Sequence, residues 1–371
     1  KAAQPGQISL GHYDPYFHGD VNAWVKAATA LRLRIAMRLM KRDPEKLKSI
    51  AADVLSDASN LMTTNADSWV FRAETNFTSF SDWSIDGFRP PKPTVDFMWT
   101  NSDPRLKLFY QKNNYTAHNL QTAINAGKYP PGTTWNPRQY VGAHISPDSS
   151  QKVYKTWYEG KFVNDTLTLD TLSLLQTRLF QAVVVDRFNN PGTGINFFPY
   201  ITYADFCFMR AELAARGMTT ENAEQLYYNG IQASIEFYNN AAGDAQIFDY
   251  DPVVQGEIDD YKAAPDVVYN SSKAVEQIVI QAYINFFKQP NEAWALIKRT
   301  GMPNKNTALA NEEIVINGTI TPMPRRAPIP FPDPTSTNYA NAKAAQEAMM
   351  SDPDFGEGPS DIFGRVWWDK K

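Results

Sequence analysis

Two consecutive segments with a helical repeat of apolar residues, separated by a glycine, constrain this chain more than any other feature. In the first, 203–217, the apolar residues share one side of a helix and Gly217 provides a C-terminal stop. Thr219 or Thr220 is expected to cap the second helix. Its apolar and small residues repeat at i, i+3, i+4 and i+7: Ala223, Leu226, Tyr227, Gly230, Ile231, Ser234, Ile235 and Tyr238. Small residues on that face permit close contact, so the sequence predicts a tight helical hairpin.

Helical patterns also flank this hairpin. A long helix is predicted from Asp20 to Lys41, and Asp43-Pro44 restarts a second one that continues to about Leu61. The inner part of the first helix alternates with a period of two, as a strand does, but its length and apolar spacing favour a helix. The residues with that spacing are Trp24, Ala28, Leu31, Ile35 and Leu39. Two further helices are predicted over 272–288 and 292–298.

The remaining sequence has a different character. Gly, Pro, Asn, Ser and Thr punctuate short aromatic runs over 65–200, and only 166–188 carries any helical period. We therefore predict a single domain over 1–371, all-α in class. Its parts are expected to be a helical hairpin (20–61), an aromatic loop-rich insertion (65–200), further helices (201–300) and an extended proline-rich segment (301–371).

Composition excludes several functions. The net charge of −4 is spread without a basic block, so no surface suited to nucleic acid is expected. The single cysteine, Cys207, stands in an apolar run and is expected to be buried. The four histidines do not form a zinc motif, and no phosphate loop, dinucleotide fingerprint or Gly-x-Ser-x-Gly elbow occurs. No metal or cofactor is expected.

Glycoside hydrolysis remains an alternative, because it depends on the spatial separation of two carboxyl groups and not on their sequence spacing. Asp96, Asp103 and Asp148 are the acids to test, since each stands near a tryptophan. Turn and solvent-facing roles are the other interpretation of these acids.

Aromatic side chains in the insertion are the stronger functional signal. An indole or phenol ring can stack on the apolar face of a sugar or on a peptide side chain, while neighbouring polar groups fix the orientation. Most aromatic rings in a protein belong to its core, so a role in anchoring loops is the alternative for each. The candidate ligand-binding residues are Trp83, Trp99, Asn101, Tyr129, Trp135, Arg138, Tyr140 and Trp157.

From Tyr203 onward the sequence resembles the SusD-like (SusD/RagB) family. The resemblance spans nearly the whole chain, and the order of its motifs is more specific than any one of them. Upstream it includes Asp103-Pro104-Arg105-Leu106 and the helix 31–39. The hairpin 203–234 is followed by these family-like runs: Glu292-Ala293-Trp294, Lys298 to Pro303, Pro324-Arg325-Arg326, Asn338-Tyr339 and Val366-Trp367-Trp368-Asp369.

The resemblance implies an all-α scaffold of TPR-like helical hairpins and a role in binding, not catalysis. It implies an outer-membrane lipoprotein on the cell surface, whose partner is a SusC-like TonB-dependent transporter. Family members carry further helices before the position of Asp20, so by this resemblance we expect the N-terminal part of the family domain to be absent here. The lipid anchor is therefore expected to lie outside this chain.

The resemblance leaves the ligand class open. An oligosaccharide is the first expectation. The second is a peptide, bound by a protein that covers the same kind of transporter as a lid. A glycoside hydrolase and a TPR-type scaffold for other proteins remain as alternatives from other classes. Family ligand residues lie in variable loops, so the resemblance assigns none to a position here.

Overall fold

The computed structural model describes residues 8–73, 85, 88–153, 161–180, 192–193 and 195–370. The helices of these parts are Val21–Ala36 (α1), Pro44–Val54 (α2), Lys92–Thr100 (α3), Arg105–Phe109 (α4), Ala117–Asn125 (α5), Pro147–Val153 (α6), Tyr203–Ala215 (α7), Ala223–Ala245 (α8), Gln255–Lys262 (α9), Ala274–Asn285 (α10), Pro290–Thr300 (α11) and Tyr339–Met350 (α12).

The strands are short and pair only in twos within the described parts. They are Trp69–Arg72 (β1), Tyr110–Gln111 (β2), Lys161–Asn164 (β3), Leu167–Leu169 (β4), Leu174–Leu175 (β5), Phe197–Ile201 (β6), Val315–Ile316 (β7) and Thr319–Ile320 (β8). The antiparallel pairs are β1–β6, β2–β5, β3–β4 and β7–β8. The predicted all-α class is confirmed; the single domain over 1–371 stays a prediction.

The first two helices form the predicted pair, but their apolar face differs from the prediction. Asp20 caps α1 by accepting hydrogen bonds from the first-turn backbone, and α1 ends at Ala36, earlier than predicted. Its buried residues include Ala27, Ala30 and Leu33, whereas Ile35 is 64% exposed. The buried face is thus turned by about one residue, roughly 100°, from the predicted one.

Helices α7 and α8 form the tight hairpin that the sequence predicts. Thr202 and Asp205 make a reciprocal cap at the start of α7, and Gly217 adopts a φ of 70° after its end. Asn222 caps α8 by accepting a hydrogen bond from the Gln225 backbone, so the predicted cap at Thr219 or Thr220 is wrong.

Close helix contact in this hairpin has a specific cause. A Cβ added at Gly230 would lie 2.5 Å from the Phe208 ring, so glycine is what lets α8 approach α7. Helix α7 is buried on two sides, because Phe208 joins a core with α8 and α10 while Phe206 and Leu213 join a core with α1 and α2. The hairpin therefore connects both cores.

The insertion 65–200 contains more regular structure than predicted. Helices α3 to α6 lie in it, and residues 166–180 form strands and a 3₁₀ turn where a helical period was noted. The rest of that period, 181–188, lies outside the described residues. Short helices of five to nine residues were missed because they hold too few turns to show a sustained repeat.

The final segment is extended over most of its length, but it also forms α12 and the β7–β8 hairpin. Asp369 is fully buried and pairs with Arg325 and with Arg365. The Trp368 ring lies under the Arg38 guanidinium at 5.0 Å. The contact of Trp368 with Arg38 fastens the end of the described chain to the 3₁₀ turn Met37–Leu39, which follows α1.

Candidate ligand-binding site

Trp99 is the exposed aromatic residue around which the candidate site is built. It lies near the C-terminal end of α3, and 44% of it is exposed. One turn earlier on α3, Asp96 pairs with Lys92. An indole this accessible offers a flat apolar face to a ligand, and the charged groups beside it offer hydrogen bonds.

Arg138 ties the Trp99 ring to the loop that follows α5. Its guanidinium lies 5.3 Å from the centre of the Trp99 ring. Arg138 also donates to Asp96 Oδ1 at 2.6 Å and to the Tyr140 carbonyl at 2.7 Å. The structure thus brings together three of the predicted residues, namely Trp99, Arg138 and Tyr140, and it holds the indole in a fixed orientation.

Tyr140 provides a second ring at this place. Its ring centre lies 6.4 Å from that of Trp99, with 45° between the planes. Burial, with a smaller effect of Asp249 and Asp251, raises the pKa of Tyr140 to about 12. Its hydroxyl therefore stays protonated at neutral pH and can donate a hydrogen bond to a ligand.

Trp99 and Tyr140 line an open cleft of about 370 Å³, which we call the Trp99 cleft. Charged residues form its rim. Lys107 lies 2.7 Å from Asp251 Oδ2 and 2.7 Å from Glu257 Oε1. A cleft that combines aromatic faces with a few fixed polar groups is the usual form of a small-ligand site.

A buried charge network lies beneath this cleft. Arg105 is fully buried, and it pairs with Asp103, which also lines the cleft. Its guanidinium also donates to Ser234 Oγ at 3.0 Å, Tyr261 OH at 3.1 Å and Gln281 Oε1 at 2.8 Å. The network joins α4 to α8, α9 and α10, so the floor of the cleft is part of the helical core.

Two of the predicted ligand residues prove to be structural. Asn101 is buried, donates to the Phe97 carbonyl at 3.0 Å and exchanges hydrogen bonds with Asp266. Tyr129 is 4% exposed and belongs to the small core around α5 and the β3–β4 hairpin. Asn101 thus ties the end of α3 to the segment that follows α9, and Tyr129 packs inside the insertion, so that both side chains are buried in this structure.

Trp135 remains a candidate, but it is not among the residues that line the Trp99 cleft. It is 39% exposed, and its Nε1 donates to the Tyr115 carbonyl at 2.8 Å. It lies five residues before Tyr140, a separation of at most about 17 Å at ~3.3 Å per residue. Trp83 and Trp157 lie outside the described residues.

The acids proposed for hydrolysis are all engaged by other groups. Asp96 bonds Lys92 and Arg138, and Asp103 bonds Arg105. Asp148 accepts the backbone N–H groups of residues 317 and 318 at 2.9 and 2.7 Å, which fixes the β7–β8 turn. Each carboxylate thus has a structural partner.

Sequence reasoning missed the rim residues Lys107, Asp251 and Glu257. Lys107 and Asp251 are 144 residues apart in the chain. No short-range motif signals this contact, since it depends on how α4 packs beside α9.

The described residues contain no cluster of three or more His, Cys, Asp or Glu side chains able to hold a metal ion. Cys207 is buried as predicted, and burial raises the pKa of its thiol to about 12. Within the same part of the chain, no helix is long and apolar enough to cross a membrane.

Helical hairpins that support an open aromatic cleft define a helical ligand-binding protein. Residues 4–330 match the model of a family described as "Starch-binding associating with outer membrane", the SusD-like proteins. The chain belongs to this SusD-like family, as its motifs predicted. The family is described by binding and by its association with the outer membrane.

Solved structures show the same fold. A chitin-binding protein has a TM-score of 0.67 at 22% identity, over 96% of this chain and 67% of that protein. A SusD homologue from Bacteroides fragilis scores 0.66 at 20% identity, over 96% and 69%. A chitin-binding SusD homologue from Flavobacterium johnsoniae scores 0.62 at 20% identity, over 98% and 67%. No curated protein matches the chain significantly.

Proposed function

We propose that this protein captures oligosaccharides at the outer surface of a bacterial cell and delivers them to a SusC-like TonB-dependent transporter. The observation that carries the proposal is the Trp99 cleft, where an exposed indole is held by Arg138 beside a protonated Tyr140. Apolar ring faces and neutral hydroxyl donors match the two kinds of surface that a sugar presents.

The comparisons support the sugar class. The family description names starch, and two proteins of similar fold are described as chitin-binding. The lid role and the lipid anchor rest on the family, whose description names the outer membrane. Trp135 stays a separate candidate for ligand contact, because it is exposed in the same loop-rich insertion but does not line the Trp99 cleft.

Calorimetry with a panel of neutral oligosaccharides and short peptides tests the ligand class. We expect Trp99→Ala to weaken oligosaccharide binding about tenfold or more, because the stacking face is lost. Trp367→Ala is the matched control, since Trp367 is 61% exposed on the far C-terminal segment, and its removal is expected to change affinity less than about twofold.

Other outcomes would redirect the proposal. Binding of peptides but not of sugars favours the peptide lid, and unchanged sugar affinity in Trp99→Ala rejects this cleft. Steady release of reducing ends that is abolished by Asp96→Asn contradicts a pure binding role. For the partner, the native lipoprotein should recover a large β-barrel from detergent-solubilised outer membranes, and failure to do so counts against the lid model.

A further inference from the structure

The rim of the Trp99 cleft contains an ion bridge shared by three residues. The Lys107 ammonium lies 2.7 Å from Asp251 Oδ2 and 2.7 Å from Glu257 Oε1. The Asp251 and Glu257 side chains are 72% and 37% exposed, whereas that of Lys107 is 20% exposed. One partly covered cation therefore pairs with two more exposed carboxylates, and one negative charge of the three groups is left over.

The charges of the cleft balance. Lys107 and Lys112 are its two lining cations, and Asp251 and Glu257 are two of its lining acids. The third acid, Asp103, is paired inside the core with Arg105 and adds no free charge. The hydrogen bond and charge of Lys107 lower the pKa of Asp251, so this carboxylate is ionised at neutral pH.

We propose that Lys107 determines which sugars the cleft accepts: by pairing with Asp251 and Glu257 it completes, together with Lys112, the charge balance of the cleft, and it favours uncharged sugar units over cationic amino sugars. This inference rests on the proposed function, because it concerns the ligand of the same cleft. An incoming sugar ammonium has to compete with Lys107 for the same two carboxylates, whereas a neutral hydroxyl or acetamido group does not.

Removal of the Lys107 charge should convert the rim into a site for cations. In Lys107→Met, two exposed carboxylates lose their shared partner and stand beside the Trp99 face. Attraction between partly exposed charges is modest, so we expect a gain in affinity of about five- to tenfold for a cationic oligomer. The gain should shrink as salt is added, because exposed charges are screened.

The test uses two probes of equal length, an N-acetylglucosamine oligomer and a glucosamine oligomer, in mildly acidic buffer where the glucosamine amines are protonated. Calorimetry compares wild type, Lys107→Met and Lys107→Gln, with the melting temperature as a check on folding. Lys107→Arg is the conservative control, since it keeps the positive charge. Lys107→Met with Glu257→Gln removes one of the two carboxylate charges, and Gln keeps an oxygen for the Val254 backbone N–H that Glu257 Oε2 accepts at 3.0 Å.

The expected pattern is specific. Lys107→Met and Lys107→Gln gain affinity for the glucosamine oligomer, while affinity for the N-acetylated oligomer changes less than about twofold. Lys107→Arg behaves as wild type, and the Glu257→Gln change reverses part of the gain. A structural role for Lys107 would instead weaken both probes together, with a lower melting temperature.

The inference is overturned if neither Lys107→Met nor Lys107→Gln gains affinity for glucosamine, whichever neutral sugar the wild type binds. This failure differs from that of the proposed function, in which Trp99→Ala leaves sugar affinity unchanged or wild type binds no sugar. If wild type binds neutral sugars through Trp99 and the Lys107 variants keep the wild-type preference, the role of Lys107 is rejected and the proposed function stands.

Discussion

Replacing Arg105 by methionine should destabilise the whole fold and not only the cleft. Arg105 is fully buried and makes five side-chain hydrogen bonds, two of them to Asp103. Methionine fills most of the space but bonds none of these groups. The Asp103 carboxylate, whose side chain is also fully buried, would lose its countercharge. Removing one partner of a buried ion pair typically costs about 3–5 kcal/mol.

The loss is expected in the free energy of unfolding, measured by urea titration with tryptophan fluorescence and circular dichroism. Arg32→Met is the matched control, because Arg32 and Asp53 pair with their side chains 54% and 62% exposed. An exposed pair contributes at most about 1 kcal/mol. Adding Asp103→Leu to Arg105→Met should recover about 2 kcal/mol, since no buried charge then remains unpaired. A loss for Arg105→Met that matches the control would refute the reasoning.

Two further substitutions test other parts of the scaffold. Gly230→Ala should lower the free energy of unfolding by about 1–3 kcal/mol, because its Cβ would meet Phe208 at 2.5 Å. Gly256→Ala is the control, since no atom lies within 4 Å of its Cβ. In the same assay it should be neutral or stabilising by up to about 1 kcal/mol. Burial would raise the pKa of Glu212, but the charges and hydrogen bonds of Arg299 and Arg216 together outweigh burial, and the net pKa is lowered. A carboxylate whose pKa is lowered by folding stabilises the fold above the unfolded value of 4.5, and this stability is lost as the pH falls through the folded value. In urea titrations from about pH 5 to pH 3, the free energy of unfolding of Glu212→Gln should therefore fall less steeply than that of wild type.

The long helices could be predicted because their patterns are local. The apolar period and the glycine stop of α7 and α8 lie within one segment, and the structure has both helices there. The buried face of α1 was less predictable, because Ala27 and Ala30 are as compatible with burial as Ala28 and Leu31. The choice between these faces depends on contacts with α2 and α7, which are distant in sequence.

The short helices could not be predicted for a different reason. Helix α3 has nine residues, so it shows only about two and a half turns of any pattern. Helix α12 buries no residue, and its sequence therefore carries no core-facing stripe. In both cases the periodic signal on which sequence analysis depends is too weak, although the helices themselves are regular.

The candidate site could be predicted only in part. Aromatic residues in a loop-rich segment, with their polar neighbours, pointed to Trp99, Arg138 and Tyr140, which the structure brings together. The same criterion also selected Tyr129, which is core. An aromatic ring looks the same in sequence whether it faces solvent or packs inside, so the difference emerges only from the tertiary contacts.

The scaffold and the cleft are connected through a single turn of helix. Residues two apart on a helix point to nearly opposite sides, so burying Arg105 in the core directs Lys107 outward to the rim. The Asp-Pro-Arg-Leu motif is thus a core element that also positions the charge on the cleft. It follows that Arg105→Met should disturb sugar binding as well as stability. Where the variant is still folded, Lys107 loses its fixed distance to Asp251 and Glu257. The difference in affinity between neutral and cationic oligomers should then become smaller. If that discrimination survives a loss of several kcal/mol in folding stability, the position of Lys107 at the rim does not depend on Arg105.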